Sequence, residues 1–205
     1  MPVVVVTDSS ARLPGDLIAE WGIRVVPLHV LREGVDLRDG IDAMPSDLYQ
    51  SLKVSTAGAS PAELATVYRS ALADSGGDGV VAVHISPELS STFGAAQHAA
   101  QDFGDAVRVV DSQSAGMGTG FVALAAARAA QGGAGLEQVA IEARAAVSRI
   151  HAYIVVQRLE NLRRSGRIGA AASWLGTALA VKPLLSIDGG KLVLAQRVRT
   201  TSKAI

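Results

Sequence analysis

The sequence predicts an α/β fold, a mostly parallel sheet with helices on both faces, followed by a second, smaller α+β lobe. Two observations carry this. Short β-branched runs such as Val3–Val6 and Val80–Ile85 are apolar throughout, as in strands buried on both faces. Between them lie longer Ala/Leu-rich segments that end at glycine, and this βαβα rhythm is that of a parallel sheet wrapped by helices.

The elements follow in order. Val3–Val6 is the first strand, Pro14 to Trp21 a short helix stopped by Gly22, and Ile23–Leu28 the second strand. Ser46 is a cap for a helix through about Leu52. Ser60-Pro61-Ala62-Glu63 is a capping box with proline in the first helical position, opening a helix to about Ala73 before Gly76-Gly77. Val80–Ile85 is a strand, Ser90 to Phe103 a helix, Ala106–Val110 a strand, and Met117–Ala130 and Leu136–Ile150 are helices. The character changes after His151. Tyr153–Val156 is a strand, Leu159–Ser165 a short basic helix and Ala170–Leu179 an Ala-rich one; Leu184–Ile187 and Leu192–Val198 form a hairpin around Asp188-Gly189-Gly190. The expected domains are therefore 1–150, α/β, and 151–205, the start of an α+β domain that reads as truncated at its C-terminus. Either the chain is a fragment or this small lobe leans on the first.

Composition narrows the function. The 205 residues are 49% hydrophobic and 19% charged, enough apolar material for a core and too much for a disordered chain. Zero cysteines exclude disulfide scaffolds, thiolate metal sites and a cysteine nucleophile. Nineteen basic and nineteen acidic residues give no global attraction to nucleic acid or to an anionic membrane. The opening MPVVVVTDSS lacks a signal peptide's basic start, and the longest apolar uncharged stretch, Ala170 to Val181, falls short of the roughly 20 residues a membrane span needs. A cytoplasmic protein without stable membrane insertion is expected.

The chemistry sits after the strands: Thr7-Asp8-Ser9-Ser10, Ser55 to Ser60, Ser86-Pro87-Glu88-Leu89-Ser90-Ser91-Thr92 and Asp111-Ser112-Gln113-Ser114. In a parallel sheet these loops share one rim, where ligands bind. Hydroxyls and helix N-terminal amides suit a carboxylate or phosphate. No single loop exceeds what helix caps and turns need; it is their number that points to a site. Asp8, Glu88 and Asp111 are acidic groups on that rim, and His84 is the one histidine close to it. The four histidines, His29, His84, His98 and His151, have no metal-ligand spacing, so no metal is expected. Gly116-Met117-Gly118-Thr119-Gly120 has neither dinucleotide spacing nor the phosphate-loop lysine. Arg163, Arg164 and Arg167 form the basic cluster, a solvated helix end or a dock for an acidic partner.

The ordered set of loops resembles the DegV family of bacterial lipid-binding proteins. It comprises Val6-Thr7-Asp8-Ser9-Ser10, Thr56 to Pro61, Ile85 to Phe93, Asp111-Ser112 with Gly116-Met117-Gly118, Leu159 to Ile168, Lys182-Pro183-Leu184-Leu185 and Arg199-Thr200. The resemblance implies two lobes with a long-chain fatty acid between them. It implies that the carboxylate is held by Thr56 and by Ser90, with Ser91 and Thr92 in the same loop. It also implies that the protein is no enzyme and needs no cofactor. Instead it presents the bound acid to a separate kinase subunit for acyl-phosphate formation, with Arg167 on the partner side; Arg163 and Arg164 of the same basic cluster would extend that docking face. The chain departs from the family in having Ala57-Gly58-Ala59 where Ser-Gln-Pro is usual and Ser91 where glycine is usual; members also extend well beyond Arg199-Thr200. The small residues Ala170, Ala171, Ala172, Gly176 and Ala178 beside Trp174, Leu175 and Leu179 could line a tunnel or form an ordinary packed helix. The contrasting reading is an enzyme, a phosphotransferase or hydrolase using Ser90 or Ser112, which needs a base.

Overall fold

The computed structural model describes residues 2–48, 54–155, 159–167 and 182–198. The core is a parallel sheet of β1 (Val4–Asp8), β2 (Arg24–Val26), β6 (Val80–His84) and β7 (Val107–Asp111), in the order β2-β1-β6-β7. Because successive strand residues face opposite ways, the valine runs feed two cores at once. Val3, Val5, Val81 and Val83 pack against α4 (Met117–Gln131) and α5 (Leu136–Val147), with Leu17 and Trp21 of α1 (Gly15–Trp21) at the margin. Val6, Val80 and Ala82 pack on the other face against Leu64, Tyr68 and Ala71 of α2 (Pro61–Ser75) and Ala96 and Ala99 of α3 (Thr92–Ala100).

The capping box at α2 is present. The Ser60 hydroxyl accepts from the Glu63 amide at 3.3 Å, and the Glu63 carboxylate accepts from the Ser60 amide at 2.8 Å. Gly76 closes the helix in the left-handed conformation, φ 64°.

A second sheet corrects the sequence reading of residues 23–57. The single strand expected over Ile23–Leu28 ends at Val26. Pro27 has no amide to donate, and the chain turns into β3 (His29–Arg32). With β4 (Val35–Arg38) and β5 (Val54–Ala57) this strand forms a small antiparallel sheet, order β4-β3-β5. The helix expected from Ser46 is a turn over 46–48, and the rest of that segment lies outside the described residues. The expected helix Ser90 to Phe103 starts later, at Thr92. It passes into a 3-10 segment, Gln101–Ala106, that Gly104 breaks at φ 52°.

The smaller lobe is an antiparallel sheet, β10-β9-β8, made of β8 (Tyr153–Val155), β9 (Lys182–Asp188) and β10 (Lys191–Val198), with α6 (Leu159–Ser165) between the first two. The Ala170–Leu179 helix, with its candidate tunnel residues, lies outside the described residues.

Candidate functional site

At the carboxyl edge of the parallel sheet, the loop after β6 meets the end of β5. Gly58 lies so close to that loop that an added Cβ would stand 2.7 Å from Thr92 Oγ1 and 3.3 Å from both Ser91 Oγ and the Thr92 amide nitrogen. The structure thus brings Thr56–Gly58 beside Ser90–Thr92, two segments 34 positions apart on different sheets. Thr56 and Ser91 are exposed, Ser90 is half-buried and Thr92 is buried. The Ser90 and Thr92 hydroxyls bond each other at 2.9 Å, and the Thr92 amide donates to Ser90 Oγ at 3.3 Å. Ser86 starts this turn. Its carbonyl accepts from the Leu89 and Ser90 amides, and its hydroxyl accepts from the Glu88 amide.

Beneath the loop runs a buried polar chain that the sequence did not reveal. His84 Nδ1 lies 2.9 Å from Asp8 Oδ2, and its Nε2 lies 2.9 Å from the Tyr68 hydroxyl. The register Thr7↔Val83 makes Asp8 and His84 neighbours across the sheet. Asp8 also accepts from the Ser10 amide, the Ser10 hydroxyl and the Ile85 amide. Burial pushes the Asp8 carboxyl up, but its hydrogen bonds, chiefly from His84, outweigh that and hold it below the ordinary aspartate value. Burial drives the Tyr68 phenol upward. With Asp8 as acceptor at Nδ1, the neutral phenol donates to Nε2, so both ring nitrogens are occupied.

The serines of the enzyme reading have other partners. Ser112 is buried; its hydroxyl pairs with Thr119 Oγ1 at 2.9 Å and donates to the Ser114 carbonyl at 3.3 Å. Ser90 pairs with Thr92. Neither reaches a histidine. Burial raises the Asp111 carboxyl, and the charge of Glu88 adds to this.

The smaller lobe is seated on the same rim. Arg167 Nε donates to the Leu89 carbonyl at 3.1 Å and Nη1 to the Ser165 carbonyl at 2.6 Å. At the tip of the β9–β10 turn an added Cβ on Gly190 would collide with Ser86 Oγ, and Lys191 Nζ lies 3.6 Å from Glu88 Oε2. Ala152 faces Gly118 in the first turn of α4. Arg163 and Arg164 are exposed on α6.

Two cavities lie outside the Thr56 and Ser90–Thr92 contact, the first of them bordered by Thr7, Asp8 and Ser9 of the β1 rim loop. One of about 650 Å³ runs along edge strand β2, among Ile18, Ile23, Val25, Val67, Arg12 and Asp39. The other, of about 520 Å³, lies between α4 and the end of α5, beside Phe121, Arg128 and His151. Among the described residues no group of His, Asp and Glu could hold a metal, and no helix is long and apolar enough to cross a membrane.

Known proteins are similar to this chain in sequence and in fold. A DegV domain-containing protein of Mycobacterium tuberculosis (strain ATCC 25618 / H37Rv) is 64% identical over 204 residues, which span 100% of this chain and 72% of the relative. One from Streptomyces coelicolor is 42% identical over 207 residues, 99% of this chain and 73% of the relative. Among solved structures, a fatty-acid-binding DegV family protein from Thermus thermophilus superposes with a TM-score of 0.91 at 40% identity, covering 100% of this chain and 74% of its own. DegV of Bacillus subtilis, a fatty acid binding protein, gives 0.86 at 31% identity, covering 100% and 74%. The family model of the DegV proteins matches residues 2–205. With that pattern met along the chain and the same fold reproduced around the rim, this protein belongs to the DegV family.

Proposed function

We propose that the chain binds a long-chain fatty acid, with the carboxylate at Thr56, Ser90, Ser91 and Thr92 and the acyl chain between domains 1–150 and 151–205. The observation that carries this reading is the contact at Gly58, which sets a hydroxyl-bearing strand end directly against a hydroxyl-bearing loop. Hydroxyls accommodate an anion without the cost of burying a countercharge, and each charge-assisted hydrogen bond contributes about 1.5–3 kcal/mol. The tail contributes about 0.8 kcal/mol per buried CH₂, so it sets the affinity while the hydroxyls set the orientation. The fatty acids bound by the Thermus and Bacillus relatives support the ligand class.

In this reading the protein is a cytoplasmic, non-enzymatic carrier that presents its acid to a separate kinase subunit. Arg163, Arg164 and Arg167 form the docking face, and no cofactor takes part. Native mass spectrometry of the protein from a bacterial host tests the first claim. A bound mass of a long-chain fatty acid is expected; a ligand-free protein that takes up no added oleate refutes it. Mixing the loaded protein with ATP and a bacterial fatty acid kinase subunit tests the second.

A further inference from the structure

We infer that His29 is a positioning residue for the carboxylate site, a cationic clamp that holds the Thr56–Ser60 segment in its binding pose. The inference rests on the fatty-acid reading and adds a pH response to it.

The geometry is that of a ring pinned on both sides. Nδ1 lies 2.8 and 3.0 Å from the two carboxylate oxygens of Asp36 on β4, and Nε2 lies 3.1 Å from Glu63 Oε1 on α2. A carboxylate only accepts, so a ring that satisfies both must donate from both nitrogens, which only the imidazolium does. The cross-strand neighbour Arg38 is engaged by Asp42 through Nε and Nη2, so Asp36 and Glu63 are the charged groups that face the ring. Burial alone would lower the affinity of His29 for its proton, but the two carboxylates reverse this and raise it above the ordinary histidine value.

The His29 ring reaches the site through Glu63, and the His29 backbone borders it. His29 lies opposite Ala57 in the β3–β5 register, one residue from Thr56 and from Gly58. Glu63 holds His29 with one oxygen and the Ser60 amide and hydroxyl with the other, at 2.8 and 2.6 Å. The segment from Thr56 to Ser60 is thus held at one end by the backbone pairing of His29 with Ala57 and at the other by Glu63, which the His29 ring itself bonds. The clamp is fully set below the ordinary histidine pKa and is lost as pH rises through the raised one. A fatty carboxylate is ionised across that whole window, so its own titration does not mimic the effect.

The test is a titration of the protein with dansyl-labelled undecanoic acid from pH 6 to 9, with the His29 ring followed by NMR. Binding by the wild type should weaken about three- to fivefold as the ring deprotonates, the range expected for a partly exposed ion pair. His29→Gln should bind more weakly at pH 6 and show a flat profile. Asp36→Asn, which leaves the α2 cap alone, should move the fall to lower pH. Identical profiles in wild type and His29→Gln overturn the clamp and leave the lipid reading standing. If the probe binds at no pH, the lipid reading fails and the clamp is judged by NMR alone. Amide shifts over 54–60 that follow a ring titrating above an ordinary histidine support it; a ring titrating at or below that value, or amides that ignore it, overturn it.

Discussion

Arg167 donates from Nε to the carbonyl of Leu89, the residue just before Ser90. The arginine expected to face a protein partner therefore also braces the loop proposed to hold the lipid. Arg167→Ala should weaken fatty-acid binding about two- to fivefold, the worth of one exposed hydrogen bond, and abolish acyl-phosphate formation by the kinase subunit. Arg167→Lys keeps the charge but loses the planar fork and should fall between the two. Fluorescence titration and ATP turnover, measured on the same samples, separate bracing from docking.

Gly58→Ala places a methyl group 2.7 Å from Thr92 Oγ1. The neighbour includes backbone as well as side chain, so relief requires the two segments to part. Destabilisation by about 1–3 kcal/mol is expected, with at least a tenfold loss of fatty-acid affinity. A thermal melt beside a binding isotherm checks both.

Removing the hydroxyls tests the head group without moving the backbone. The double change Thr56→Val with Ser90→Ala should reduce affinity for oleate by about two to four orders of magnitude, the worth of two hydrogen bonds to a charged acceptor, and hardly change that for the corresponding alcohol. Calorimetry with the two ligands measures the difference.

The buried chain Asp8–His84–Tyr68 is a stability element with a signed pH dependence. Asp8→Asn removes a buried carboxylate that accepts from His84 and should cost about 1.5–3 kcal/mol. Tyr68→Phe strands Nε2 and should cost about 1–3 kcal/mol. Because the Asp8 carboxyl is depressed, its contribution is present above the ordinary aspartate value of about 3.9 and disappears as pH falls through the lower folded value. Urea melts from pH 2 to 7 should therefore show an acid limb in the wild type that is shallower in Asp8→Asn.

Local signals were the most readable. Ser60-Pro61-Ala62-Glu63 announced the start of α2, and Gly22 and Gly76 announced helix ends. The antiparallel sheet escaped because its strands are short and carry charge. Yet His29-Val30-Leu31-Arg32 and Val35-Asp36-Leu37-Arg38 flank Glu33-Gly34, both with positive φ, and that spacing would have marked a two-residue hairpin. The pairing of His84 escaped for a different reason. Its partner Asp8 is 76 positions away, and only the parallel register of β1 with β6 brings the two together. The same holds for the rim: residue types suggested an anion, whereas the choice of Thr56 and Ser90 came from family resemblance, since nothing in the spacing says that β5 ends against the loop after β6.

That last contact lies between two independently hydrogen-bonded sheets, joined also by Ser9, whose hydroxyl donates to Asp39 and accepts from the Leu28 amide, and by His29, whose ring bonds Glu63 of α2. A guest that touches both sheets would act as a rivet across the joint. Cargo loading should then register across the antiparallel sheet, as slower amide exchange through residues 29–38 and a higher melting midpoint that tracks ligand concentration. An unladen carrier would be recognisable by its looser hinge before any partner inspects its contents.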